Sequence, residues 1–113
     1  MAYPSLMTDL KFFQPSLLLC LDDFLLSKDM LVFSLMSLHN DKIGNPYFNP
    51  LASPIMIQDH ILAEFPKTRV LYCELDPLRD AAIQFIWKIK KLGVDLEAHC
   101  VRNWCHGVLS FDL

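Results

Sequence analysis

Glycine is scarce in this chain. Only Gly44, Gly93 and Gly107 occur in 113 residues, and no two stand close enough to frame a Gly-x-Ser-x-Gly nucleophile elbow. An excess of positive charge is also missing. The net charge of −3 leaves no basic footprint for nucleic acid, so no nucleic-acid partner is expected. Nor is there a long uninterrupted apolar run. The most apolar stretch, Leu17 to Leu38, is broken by Asp22, Asp23, Lys28 and Asp29, which excludes a membrane span there. The opening Met1-Ala2-Tyr3-Pro4 has no basic start followed by an apolar core, and no signal peptide is expected from it.

What is present describes a globular chain. Hydrophobic residues make up 53% and charged residues 20%, a balance that excludes disorder. The length suits one domain at most, with room for a core. Seven prolines suit short elements with stiff joints. The four cysteines are Cys20, Cys73, Cys100 and Cys105. Cys73 and Cys100 fall on expected buried strands and read as free core thiols. A reducing, cytoplasmic setting is the default expectation.

The chain is organised around residues 69–106. Arg69 to Glu74 reads as a short strand, and Leu96 to Val101 as a second. Between them Leu78, Ala81, Ala82, Phe85, Ile86, Ile89 and Leu92 follow the three-and-four spacing of one buried helical stripe. Asp76 can cap that helix, with Pro77 at its first position. Lys88, Lys90 and Lys91 sit where the helix dipole favours cations, and Gly93 suits the left-handed position past the end. Ile83 and Trp87 project away from the stripe and need a covering neighbour or form an exposed patch. A strand, helix and strand of these lengths make a βαβ unit with parallel strands and a right-handed crossover. In parallel sheets chemistry gathers at the carboxyl ends of strands. Asp76 and His106 both fall there.

The rest of the chain reads as follows. Residues 1–5 look like the end of a strand, and 6–15 are irregular. Ser16 can cap a helix from about Leu17 to Leu26, and Ser27 a second from Lys28 to Leu38. This Leu/Phe/Met-rich pair either packs on the sheet or presents a flexible apolar surface. His39 to Pro54 is a loop of turn formers, with Tyr47 and Phe48 expected to pin it. A short helix from Ile55 to Glu64, with Ile57 and Ile61 one turn apart, ends before Pro66.

Asn49-Pro50-Leu51-Ala52-Ser53-Pro54, then Glu64-Phe65-Pro66-Lys67-Thr68-Arg69-Val70-Leu71, then Asp76-Pro77-Leu78-Arg79-Asp80, then His106-Gly107 together resemble the hormone-sensitive-lipase group of α/β-hydrolases. The resemblance is strongest from Asn49 to Gly107, and Ala2-Tyr3-Pro4 resembles a strand end lying after that family's nucleophile. It implies an α/β fold, a partial α/β-hydrolase domain over residues 1–113. Helices at about 16–39 would wall an acyl pocket, and the βαβ unit would span 69–107. It also implies that Asp76 and His106 are the acid and base of a Ser-Asp-His triad, with no metal or organic cofactor. Serine nucleophile and oxyanion loop would precede residue 1, and a final helix would follow Leu113. Val108 stands where the family mostly has an aromatic residue.

The expected function is therefore the C-terminal part of a serine esterase or lipase, carrying the acid and base and inactive on an acyl ester unless completed by an N-terminal half. The alternative is a non-catalytic relic or interaction module whose protein partner pairs at an exposed sheet edge. The bland readings are a helix cap for Asp76, a loop histidine for His106, and a solvated or helix-supporting charge for Asp80 beside Arg79, Arg102 or Lys88. The grouping of His99, Cys100, Cys105 and His106 raises a zinc module as a remote third reading. Strand alternation sends His99 and Cys100 to opposite faces, and no second ligand pair follows.

Overall fold

The structure is a computed structural model that describes residues 15–20, 23, 25–38 and 45–110. The expected strand end at residues 1–5 and most of the irregular stretch after it lie outside the described residues, as does the 39–44 part of the loop. In chain order the elements are α1 (Pro15–Leu19), α2 (Lys28–Leu38), two short 3-10 turns (Pro46–Phe48 and Pro54–Met56), α3 (Asp59–Leu62), β1 (Thr68–Leu75), α4 (Arg79–Lys91), β2 (Leu96–Cys105) and a 3-10 turn at Val108–Ser110.

The βαβ unit is as expected: β1 and β2 pair in parallel, starting from Thr68 opposite Leu96. On α4 the stripe residues Ala81, Ala82, Phe85, Ile86 and Ile89 are buried. Ala82, Phe85, Ile86 and Ile89 close over Val70 and Leu96 of the sheet, Val94, and Leu62 of α3. Sealing each large aliphatic or aromatic side chain there contributes about 1.5–3 kcal/mol. Phe65 meets Phe85 edge-on, ring centroids 6.4 Å apart. At the helix end Gly93 takes φ +84. Its N–H reaches the Lys90 carbonyl at 3.0 Å and the Val94 N–H reaches Ile89 at 3.3 Å, the paired bonds of a Schellman stop.

Several boundaries differ from the expectation. α4 starts at Arg79, because Asp76 and Arg79 first close an i→i+3 turn (Arg79 N–H to Asp76 O, 3.0 Å). Asp76 still accepts the Leu78 N–H, at 2.8 Å. α1 runs from Pro15 to Leu19, so Ser16 lies inside it and does not cap it. Leu21, Asp22 and Phe24 of the longer expected helix lie outside the described residues. Ser27 does cap α2, accepting the Met30 N–H at 3.4 Å. The expected helix at 55–64 is split into a 3-10 turn and α3. The split falls where Lys88 draws the Ile55 and Ile57 carbonyls onto its ammonium at 2.7 and 3.0 Å, and the buried residue is Leu62 while Ile61 is exposed. Phe48 is exposed and does not pin the loop; Pro46 and Ser53 are the buried anchors. Cys73 is fully buried, whereas Cys100 is only half-buried. Of the pair that points away from the stripe, Trp87 stands 63% exposed and Ile83 is half-buried. Among the described residues no helix is long and apolar enough to cross a membrane.

Candidate active site

Asp76 follows β1 directly and His106 follows β2 directly. Their meeting depends on a register change. The pairing offset is 28 at Thr68–Leu96 and still 28 at Cys73–Val101, but Leu75 lies opposite Cys105, where it is 30. Continued regular pairing would set Trp104 level with Asp76. The irregularity inserts two residues and brings His106 there instead. It is a bulge of the kind that re-aims a side chain at a strand end. Asn103, at φ 59, supplies the left-handed turn, and its N–H is held by the Glu74 carboxylate at 2.9 Å. β2 therefore runs four residues beyond the expected Val101, and Trp104 and Cys105 belong to it.

His106 Nδ1 and Asp76 Oδ2 are 2.9 Å apart. Asp76 is 1% exposed. Its other oxygen accepts the Leu78 N–H, so both oxygens are occupied and the carboxylate has one orientation. The turn before α4 and the histidine are thus held by the two oxygens of one side chain; the helix cap expected of Asp76 is not formed, because the chain makes this turn first and Leu78 takes the capping position. The His106 pKa is raised above the ordinary imidazole value. The hydrogen bond to Asp76 is the main cause; burial opposes it, and the negative charges of Asp76 and Asp23 add to it. Such a pair fixes the ring's tautomer and stabilises an imidazolium when one forms.

The acid-side loop is braced from α1. The fully buried Ser16 donates its hydroxyl to the Pro77 carbonyl at 3.0 Å and accepts the Asp80 N–H at 3.2 Å, while its own N–H reaches Asp80 Oδ2 at 2.8 Å. Asp80 also pairs with Arg79 at 3.0 Å, and Arg79 donates to the Glu74 carbonyl at 2.9 Å. Of the two readings of Asp80, the helix-supporting charge holds and the solvated one does not. Lys88 pairs with Asp59 at 3.3 Å. On the base side Asp23 accepts the His106 N–H at 3.1 Å. Sequence reading missed the roles of Ser16 and Asp23. A Ser before an apolar run signals a cap, and nothing local to residue 23 announces a partner 83 positions on.

The thiols near the site are passive. Cys73 is pushed up to about 11, by burial first and then by the charge of Asp76, and a protonated thiol is a poor nucleophile. Among the described residues no group of three or more His, Cys, Asp or Glu is placed to hold a metal ion. His99 is exposed and Cys100 half-buried on successive strand positions.

Residues 1–110 match the family described as alpha/beta hydrolase fold. The chain belongs to that family. Its similarity to mouse arylacetamide deacetylase is 35% identity over 60 residues, 53% of this chain and 15% of that protein. Mouse hormone-sensitive lipase is 32% identical over 62 residues, 55% of this chain and 8% of the lipase. Among solved structures, carboxyl esterase 2 from the mycorrhizal fungus Tuber melanosporum superposes with a TM-score of 0.81 at 30% identity, over 98% of this chain and 35% of that one. This α/β-hydrolase chain thus spans about a third of that esterase and a smaller share of the mammalian proteins. Its described part is the βαβ unit with its preceding helices, and the relatives named above are a deacetylase, a lipase and a carboxyl esterase.

Proposed function

We propose that this chain is the C-terminal part of a serine carboxylester hydrolase and carries two of its three relay groups. Residues 1–113 form one partial domain in this reading, with residues 16–39 at the acyl pocket and 69–107 holding the acid and base. The observation that carries it is the 2.9 Å bond between His106 Nδ1 and a buried Asp76 at the ends of adjacent parallel strands. His106, oriented by Asp76, takes the proton of a serine hydroxyl through Nε2 as that oxygen attacks the ester carbonyl. It then returns the proton to the leaving alcohol, and a water molecule repeats the cycle on the acyl-serine. No metal or organic cofactor enters these steps. The serine and the oxyanion donors belong to polypeptide outside these 113 residues. The chain alone therefore hydrolyses nothing, since base and acid have no nucleophile to activate.

Sequencing the transcript upstream of the Met1 codon tests this. The expected result is an in-frame extension with a strand pattern followed by Gly-x-Ser-x-Gly. If a stop codon stands directly upstream, the nucleophile must come in trans. Mixing the chain with the nucleophile-bearing portion of a related esterase then decides: absence of any ester hydrolysis would overturn the reading. The exposed Trp87 favours the second reading, a non-catalytic module whose partner covers that patch.

A further inference from the structure

Among the described residues Asp23 is the other buried carboxylate besides Asp76, at 8% exposure. Its recorded partners are three main-chain N–H groups. Oδ1 accepts from Leu25 at 2.9 Å and Leu26 at 2.7 Å, while Oδ2 accepts from His106 at 3.1 Å. The two local bonds make an Asx-type turn, and an asparagine oxygen would serve for them. The third bond needs the second oxygen to accept as well, which only a carboxylate provides. Burying a charge is costly unless it is satisfied this fully.

A second contact joins the same two places. Gly107 sits at φ +78, and a Cβ built on it would lie 2.8 Å from Leu25 Cδ1. The turn begun by Asp23 is thus seated against His106 by a hydrogen bond and against Gly107 by close packing. The sheet ladder ends at Leu75–Cys105, so the His106 N–H is held by Asp23 and not by β1. Left-handed backbone lies on both sides, at Asn103 and Gly107, and neither gives His106 the regular strand geometry that would fix its ring. Ser16, at the other end of the same segment, is bonded to the acid-side loop.

We propose that Asp23 is a positioning residue: its carboxylate fixes the His106 main chain so that the ring is presented to Asp76. Its consequence for turnover rests on the hydrolase reading; its geometry does not.

The test is NMR on the labelled 113-residue chain. Asp23→Asn keeps one oxygen for the Leu25 and Leu26 amides and turns an NH₂ against the His106 N–H. Hydrogen exchange of the His106 amide is expected to accelerate roughly 10- to 100-fold, the loss of one charge-assisted bond. The Nδ1 proton shared with Asp76 should lose its downfield resonance, while the Val70 and Phe85 amides stay protected. Loss of charge alone would lower the ring's titration midpoint, since the carboxylates acting on it are Asp76 and Asp23. The Cys20 and Cys105 thiols near those carboxylates are raised mainly by burial. The Nδ1 proton and the exchange rate therefore carry the decision. Leu25→Ala removes the packing and keeps the carboxylate, and the His106 ring proton should survive it. A native ring proton in Asp23→Asn, or an equal loss in Leu25→Ala, overturns the proposal. If Asp23→Asn does not fold, the wild type decides. The His106 amide, bonded to Asp23 and to no strand, should be protected from exchange there, and a freely exchanging His106 amide overturns it. None of these readouts needs turnover. A complete hydrolase still active as His106→Ala would sink the catalytic reading and leave this result standing.

Discussion

Val70, Phe85, Ile89 and Leu62 are sealed between α4, α3 and the sheet, whereas Met30, Phe33 and Met36 of α2 stand mostly in solvent. The first region is held by apolar burial. The second has a small cluster of Leu17, Leu31 and Leu78, with Leu26 against it. Beyond that and the packing of Leu25 on Gly107, it is tied by polar bonds: Ser16 on the loop after β1 and Asp23 on the residue after β2. A core resists substitution through many contacts at once, while a polar tether depends on one or two atoms. The α1–α2 region is therefore the part that braces the two loops without adding much to the core, and the Met30, Phe33 and Met36 side chains on it are open.

The largest expected effect lies at the loops both regions share. In a complete enzyme, His106→Ala or Asp76→Asn should lower kcat by about 10⁴-fold, measured with a soluble aryl ester. Ser16→Ala should cost only about 10-fold, since it leaves both relay groups in place and loosens one brace. Equal losses would erase the distinction between relay and tether. Within the folded chain, Phe85→Ala should destabilise by about 3–5 kcal/mol and Leu31→Ala by about 2 kcal/mol, at the lower end for core truncations. Urea unfolding of the two variants compares the regions directly. Gly107→Ala should cost about 1–3 kcal/mol, from the left-handed φ and the crowded Leu25 methyl. Phe33→Ser and Met36→Gln on the open face should stay within about 0.5 kcal/mol. A larger loss there would mean that this face is covered in the chain as it folds.

The pH dependence separates the regions as well. Because the folded His106 pKa is raised, its bond to Asp76 adds stability that is full below about pH 6.5, the unfolded value, and is lost as pH rises through the folded one. His106→Gln should flatten that slope, whereas Leu31→Ala should shift stability equally at every pH. For the same reason, the acid limb of kcat/KM in a complete enzyme should have its midpoint above about 6.5, since a base must be neutral.

Much of the βαβ region was legible because its signals are local. The spacing of Ala81, Ala82, Phe85, Ile86 and Ile89 declares one buried stripe, and Gly93 declares where it stops. Two short apolar runs on either side of such a helix leave little choice but a parallel pair. The region before it was less legible. Ser16 and the 55–64 stretch carry ordinary helix signals, but Pro77, Asp80 and Lys88, distant in sequence, drew their polar groups into other bonds.

The residues Asp76 and His106, and their place at the ends of two strands, were determined by the sequence itself, through period, length and motif. That they meet was decided by the tertiary structure. Regular pairing would have set Trp104 beside Asp76, and only the two-residue bulge at Asn103 advances His106 to that level. The same holds for Asp23, whose partner lies 83 residues away. Local patterns report which backbone conformations are cheap. Which oxygen ends up opposite which N–H across the fold depends on how the packed elements come to rest.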